Sequence, residues 1–190
     1  MEADWEVEIG GGAPVIEALW TGFPGSPGFR GAPGFFDLRT HPERIVEIPE
    51  AEAFPPLAAL LAALNAPESP VWTCKCDLWE PEPAALASYI DVLPAGGAVF
   101  SEWQQAEAFC REYVARLEAV ALPDLGVESR IDLVIRQAIV GLAEGFGITA
   151  YLSAAGADWT AAAGLAAVMA SFADALPPLK PPAAVGSKLQ

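Results

Sequence analysis

Two stretches of alternating apolar and polar residues limit the possible folds of this chain more than any other feature. In residues 4–9, Trp5, Val7 and Ile9 alternate with acidic residues. Residues 71–79 alternate in the same way. Because successive side chains of a β-strand point to opposite faces of a sheet, a period of two predicts strands with one buried and one solvated face. The sequence therefore predicts a sheet of which one face is open to solvent or to a partner.

The other elements are predicted from apolar spacing and from turn residues. Helices are predicted over 54–64, 86–93 and 159–176. A further long helix is predicted to begin with a capping box of Ser101 and Gln104. Further strands are predicted at 15–20, 45–48, 130–140 and 146–154. The glycines after strand 4–9 predict a hairpin with 15–20, and the glycines between the last two strands predict a second hairpin.

These elements define an expected fold class. Hairpins favour antiparallel pairing, and amphipathic helices need a sheet face to cover. We therefore expect an α+β protein with a mainly antiparallel sheet of about five to six strands and with helices packed on one face. The chain has 190 residues, of which 53% are hydrophobic and 18% charged, and this composition suits one core. The expected organisation is a single domain over 1–176 and a Pro-rich tail over 177–190.

An insertion rich in glycine and proline interrupts this domain at residues 22–36. Glycine stands at every third position of the segment, a pattern that favours an extended polyproline II backbone. The segment is expected to be either a plain surface loop or a contact arm whose aromatic rings bind a partner. Tryptophans beside predicted strands are further contact candidates, because tryptophan is enriched at interface hot spots. The aromatic contact candidates are Trp20, Phe23, Phe29, Phe35 and Trp79.

The acidic composition restricts the possible partners. Asp and Glu number 25 against 10 Lys and Arg, for a formal net charge of -15. Such a charge repels the phosphate backbone of nucleic acids and the headgroups of anionic lipids. The sequence therefore predicts neither nucleic-acid binding nor membrane binding. It is compatible with simple solubility or with a basic partner.

The expected location is the bacterial cytoplasm. No apolar run reaches the ~20 residues that a helix needs to cross a bilayer. The acidic segment 1–6 lacks the apolar region of a secretory signal. The three cysteines are then expected to be reduced thiols. The many Ala, Gly and Pro residues beside few Lys are typical of GC-rich bacterial genomes.

Two groups of ionisable residues are candidate sites. Asp132 and Arg136 share one face of strand 130–140, where buried charges would need each other or a ligand. Glu144, at the tip of the second hairpin, is expected to add to a polar rim. His41 lies in a polar loop with acidic neighbours and is a candidate general base. In the alternative interpretation, both groups are ordinary solvated residues.

The cysteines are a weaker candidate. Cys74 and Cys76 are expected on the same face of strand 71–79, about 7 Å apart, and Cys110 lies on the apolar side of a helix. Zinc sites usually have a different spacing, with two ligands three residues apart, so buried structural cysteines are the alternative. The Gly10–Gly12 run matches neither a phosphate loop nor a dinucleotide motif. No metal or other cofactor is expected.

The expected function follows from the lack of a diagnostic catalytic, metal or nucleotide motif. We expect a non-enzymatic protein-interaction or assembly-accessory protein that binds a protein partner or self-associates. The alternative is a small-molecule-binding protein or an enzyme with a pocket between sheet and helices. The sequence identifies no partner, ligand or reaction.

Overall fold

The computed structural model describes residues 1–18, 36–120, 126–156 and 160–178. The helices are a 3₁₀ helix at Pro42–Glu47, α1 at Pro49–Ala53, α2 at Pro55–Leu64, α3 at Trp103–Leu117 and α4 at Thr160–Asp174. The strands are β1 at Glu2–Val7, β2 at Ile16–Glu17, β3 at Val71–Trp79, β4 at Ala85–Pro94, β5 at Glu128–Val140 and β6 at Ala143–Ala155. The protein therefore has an α+β fold. The division into a domain and a tail at 177–190 stays a prediction.

The strands form one open six-stranded sheet. The order is β1-β5-β6-β4-β3, and β2 also pairs with β5. Antiparallel pairing joins β3 to β4, β4 to β6 and β6 to β5, whereas β1 and β2 both run parallel to β5. The sheet is mixed, so the expectation of a mainly antiparallel sheet is only partly right. The long β5–β6 hairpin was predicted and is confirmed.

The predicted hairpin between strand 4–9 and strand 15–20 is wrong. β1 pairs with residues 130–135 of β5, and β2 pairs with residues 138–139 further along the same strand. The two segments therefore follow one another along a single edge of the sheet. The glycines between them include Gly10 and Gly12, with φ of 128° and 92°, values that favour glycine. These glycines allow the chain to leave the edge beside β5 after β1 and to return to it at β2.

Two other predicted elements differ from the structure. Residues 86–93 were predicted as a helix but belong to β4. Both faces of β4 are largely buried, so apolar residues occur on both faces and some of them fall by chance at helical spacing. Residues 45–48 were predicted as a strand, but residues 45–47 belong to the 3₁₀ helix, which begins at Pro42. Proline suits the first position of a helix because no intrahelical bond needs its missing N–H.

The main core lies between the helices and one face of the sheet. Ile131, Leu133 and Ile135 alternate along β5 and pack with buried residues of the helices, such as Leu61 and Leu165. The opposite face carries a second, small cluster at one end, and none of its described members comes from a helix. That cluster consists of Ile16, Ala18, Trp72, Cys74, Leu93, Ala138 and Val140.

The capping box of α3 lies one residue later than predicted. Glu102 is the N-cap, and the side chain of Gln105 accepts a hydrogen bond from the backbone of Glu102. The helix then buries residues at spacings of three and four, including Tyr113. The Tyr113 hydroxyl donates to the carbonyl oxygen of Phe172 in α4 at 2.7 Å. This buried bond ties α3 to α4 above the sheet.

A bulge in β3 changes which side chains face the helices. The β3–β4 register shifts between Thr73 and Lys75. Cys74 therefore packs in the small cluster, whereas Cys76 packs against the main core. The expectation that these two thiols share one face is wrong, because a bulge inserts an extra residue and breaks the alternation of the strand.

Candidate functional site

Trp79 is the aromatic contact candidate that lies within the described residues. Trp20, Phe23, Phe29 and Phe35 lie outside them, so the contact arm at 22–36 stays a prediction. Trp79 is the last residue of β3, and 36% of its surface is exposed. Since Leu78 packs against the main core, the side chain of Trp79 lies on the sheet face opposite the helices.

The strand register builds this face row by row. Residues that pair across neighbouring strands lie side by side on the same face of a sheet. One row is Glu2, Arg130, Ser153, Ala87 and Trp79. The next row is Asp4, Asp132, Tyr151, Tyr89 and Asp77. The third row is Glu6, Val134, Thr149, Asp91 and Lys75. These three rows, with Arg136 and Glu8 beside them, are named the open face.

Arg136 is the centre of a hydrogen-bond network on the open face. Its side chain is only 12% exposed. Nε and Nη2 donate to Glu8 Oε2 at 3.1 and 2.8 Å. Nη1 donates to Thr149 Oγ1 at 3.1 Å and to the Tyr151 hydroxyl at 3.0 Å. Burial alone would lower the pKa of Arg136, but the hydrogen bonds with Glu8 and Tyr151 outweigh it and raise the pKa. Arg136 therefore fastens the segment after β1 to β6.

Asp91 extends the network into β4. This residue is 6% exposed, and its Oδ1 accepts a hydrogen bond from the Thr149 hydroxyl at 2.6 Å. Among the described residues, Oδ2 has no hydrogen-bond donor. Burial raises the pKa of Asp91 above its ordinary value, and the Thr149 bond and the charges of Lys75 and Arg136 offset only part of that rise. The ionised carboxylate is a costly buried charge.

Three aromatic rings run beside this network. The ring centroids of Trp79 and Tyr89 are 6.1 Å apart, and those of Tyr89 and Tyr151 are also 6.1 Å apart, each pair tilted by 54°. Lys75 Nζ lies 5.7 Å from the Tyr89 centroid, and Arg136 Cζ lies 5.5 Å from the Tyr151 centroid. A hydrogen bond with Tyr89 raises the pKa of Lys75. The set of Trp79, Tyr89 and Tyr151 is named the aromatic row.

The β1 side of the open face is acidic and contains a cleft. Arg130 Nε donates to both carboxylate oxygens of Asp132, at 2.8 and 2.6 Å, and Nη1 donates to Glu2 at 3.2 Å. The cleft has a volume of ≈ 330 Å³ and is lined by Asp4, Glu6, Arg130, Asp132, Arg136 and Tyr151, among others. The sequence placed a pocket between sheet and helices, but these side chains lie on the opposite face.

The other two pocket candidates lie apart from this cleft. Glu144 pairs with Ile139 near the tip of the β5–β6 hairpin and does not line the cleft. His41 lies in the loop before the 3₁₀ helix, where its Nδ1 is 3.4 Å from Glu43 Oε1 and its side chain is 59% exposed. The structure therefore brings Asp132 and Arg136 together, but neither Glu144 nor His41 joins them.

The cysteines lie in apolar surroundings, Cys74 in the small cluster and Cys76 and Cys110 at the main core. Burial raises the pKa of Cys76 and of Cys110 to about 12, and that of Cys74 well above its ordinary value. Metal ligation and nucleophilic attack both need the thiolate, which these surroundings disfavour. Within the part of the chain that the structure describes, no three His, Cys, Asp or Glu side chains are grouped so that they could hold a metal ion.

The polar network is poorly arranged for nucleophilic catalysis. Thr149 donates to Asp91 as a nucleophile would to a general base. However, Thr149 is 1% exposed, and its hydroxyl also accepts a hydrogen bond from Arg136. The network instead holds the side chains of Glu8 and Tyr151 on the open face in place.

Sequence reasoning singled out Arg136 and Trp79 as candidates but not Asp91, Thr149 and the two tyrosines, which the structure places beside them. Asp91 was missed because its segment was predicted as a helix. The signal was weak, because one face of β4 carries Leu86, Ser88, Ile90 and Val92 and the other carries Ala87, Tyr89, Asp91 and Leu93, so both faces mix apolar and polar residues. In a strand, alternation places Tyr89 and Asp91 on one face.

No protein-family model, curated protein or solved structure matches this chain. The comparisons therefore supply no function, and the function proposed below depends on the chain's own residues. Among the described residues, none of the helices combines the length and the apolar character that crossing a bilayer requires.

Proposed function

We propose that this protein is a non-enzymatic protein-interaction or assembly-accessory protein that binds its partner on the open face. The aromatic row is the observation that carries the proposal. Tyrosine and tryptophan dominate interface energetics, because they bury large apolar area and also form hydrogen bonds. Here Trp79, Tyr89 and Tyr151 lie in contact on a sheet face on which no described helix packs.

The network beneath the rings supports a binding function. Arg136 holds Glu8, Thr149 and Tyr151 by direct hydrogen bonds. Side chains that are already held in place lose little conformational entropy when a partner binds. The part of the open face around Arg136 is therefore preorganised and needs little rearrangement to bind a rigid partner.

The outer strands disfavour a partner that adds a strand to the sheet. The backbone N–H of Trp5 in β1 donates to the carboxylate of Asp4 at 2.8 Å. In β3, the N–H of Leu78 donates to Asp77 in the same way, also at 2.8 Å. Strand addition needs free edge N–H groups, and on both edges an aspartate already occupies one. Docking on the face is therefore favoured over pairing at an edge.

The test is quantitative co-purification of the tagged full-length chain from its native host, with Trp79→Ala compared with the unmodified protein. Truncation of an aromatic hot-spot residue is expected to lower the yield of the specific partner on the order of tenfold. Leu142→Ala is the matched control, because Leu142 is also apolar and is 89% exposed at the hairpin tip. The proposal fails if Trp79→Ala and Leu142→Ala recover the same proteins in the same amounts.

A further inference from the structure

We infer that the open face recognises a basic protein segment, with a lysine or arginine side chain that packs on the Trp79 ring beside Asp77. This inference deepens the proposed function and depends on it. It adds the chemistry of the partner and the position of its anchoring side chain.

The charge balance of the open face is the first argument. Carboxylates outnumber cations there. The carboxylates are Glu2, Asp4, Glu6, Glu8, Asp77, Asp91 and Asp132, and the cations are Lys75, Arg130 and Arg136. Both arginines already have carboxylate partners, Arg130 with Asp132 and Glu2, and Arg136 with Glu8. Among the described residues, Asp4, Glu6, Asp77 and Asp91 form no ion pair. The face therefore attracts a partner of opposite charge.

The aromatic row is the second argument. Tyr151 and Tyr89 already have cations near their rings, Arg136 at 5.5 Å and Lys75 at 5.7 Å. Within the described residues, no cation lies against Trp79. Tryptophan is the aromatic side chain that attracts cations most strongly, and Trp79 is 36% exposed. Tyr89 and Tyr151 thus each have a cation of the protein beside the ring. Trp79, on the edge strand β3, is left for a cation of the partner.

Asp91 is a third and independent argument. This side chain belongs to the same face, because its partner Thr149 is bonded to Arg136. It is 6% exposed, and its Oδ2 has no donor among the described residues. A positive charge bound beside Asp77, in the row next to that of Asp91, would stabilise the ionised carboxylate, because charges interact over a longer distance where water is scarce. The buried carboxylate therefore strengthens the preference of the aromatic row for cations.

The same charges disfavour the other classes of occupant. A second copy of the chain would bring a second net charge of -15 to the interface, and nucleic acids and anionic lipids would be repelled in the same way. A basic segment of another protein is the occupant that the face complements.

The test uses a short synthetic peptide of alternating arginine and serine, titrated calorimetrically into the full-length protein at low salt. A second peptide with glutamate in place of arginine is the probe control. Trp79→Ala and Asp77→Asn are each expected to weaken binding of the arginine peptide about threefold or more, because each removes one attraction for the cation. Leu142→Ala is expected to bind like the unmodified chain. Added salt is expected to weaken the binding, because exposed charges are screened.

Two results would overturn the inference. One is equal binding of the arginine and glutamate peptides, and the other is binding that is unchanged by Trp79→Ala and Asp77→Asn. Failure of this inference is distinguishable from failure of the proposed function. If the arginine peptide does not bind but co-purification of the partner still depends on Trp79, the face binds proteins of another chemistry.

Discussion

Asp91 shows how the fold changes the chemistry of a single residue. Asp91 belongs to β4, which lies between β3 and β6 in the sheet. Its carboxylate accepts one hydrogen bond from Thr149 and has little access to water. Burial raises the pKa of Asp91 above its ordinary value of 3.8. The folded chain then holds the proton more tightly than the unfolded chain. The stabilisation from this group is complete below the ordinary pKa and is lost as the pH rises through the raised pKa.

Replacement of Asp91 by asparagine is expected to remove this pH-dependent loss of stability. The amide keeps an oxygen acceptor for the Thr149 hydroxyl but never becomes charged. The stability of Asp91→Asn relative to the unmodified protein is therefore expected to increase as the pH rises from about 4 to about 7. Denaturant unfolding of both proteins across that range measures the difference. A difference that is constant with pH, or that falls as pH rises, would contradict the account of Asp91.

Among single residues, the sequence singles out some members of the open face and not others. Arg136 is noticeable because a charge in an apolar strand needs partners. The identity of those partners depends on contacts between distant parts of the chain, since Glu8 and Arg136 are 128 positions apart. No local pattern contains that information.

Among the elements, β3 depends on a single buried side chain at the end of α2. Asn65 Nδ2 donates to the carbonyl of Leu61 at 2.8 Å and to Thr73 Oγ1 at 2.7 Å, and Oδ1 accepts the N–H of Thr73 at 3.0 Å. Thr73 stands directly before the bulge that places Cys74 with the small cluster and Cys76 with the main core. Asn65 therefore ties the register of β3 to the helix layer.

Asn65→Ala is expected to lower the free energy of unfolding by about 2–3 kcal/mol, because it leaves buried backbone and hydroxyl groups without partners. Glu68→Ala is the matched control, since Glu68 is an exposed residue of the same connection and is expected to change stability by less than about 0.5 kcal/mol. Urea denaturation measures both. If Asn65→Ala lowers the free energy of unfolding as little as the control does, Asn65 does not stabilise the position of β3.

The elements that the sequence predicts well are those with long, regular patterns. β5, β6, α3 and α4 each extend over 13 or 15 residues with a clear apolar period. β4 was mispredicted because it is covered on both faces, which removes the alternation of hydrophobicity on which strand prediction depends. β2 has two residues, and its direction is set by pairing with β5, far away in sequence.

At the scale of the whole molecule, the two faces of the sheet have different compositions. The helix-covered face is apolar in the two central strands β5 and β6, where its buried residues are Ile131, Leu133, Ile135, Ile148, Ala150 and Leu152. The open face carries the acidic groups and the aromatic row. The alternation in residues 4–9 and 71–79 predicts this separation only in part, because Val7 and Ile9 are exposed and the bulge in β3 places Trp72 and Cys74 on the side opposite the helices. The net charge of -15 then has a structural consequence, because part of it is concentrated where a partner can meet it.

We propose that the open face is the surface that meets a partner. Hydroxyl-radical footprinting of the free chain and of the complex co-purified from the native host tests it most directly, since oxidation reports the exposure of individual side chains. Oxidation of Trp79 is expected to fall in the complex, whereas oxidation of Leu142 and Val46, which are 89% and 72% exposed, is expected to stay the same. Unchanged oxidation of Trp79 together with protection of Leu142 or Val46 would contradict it.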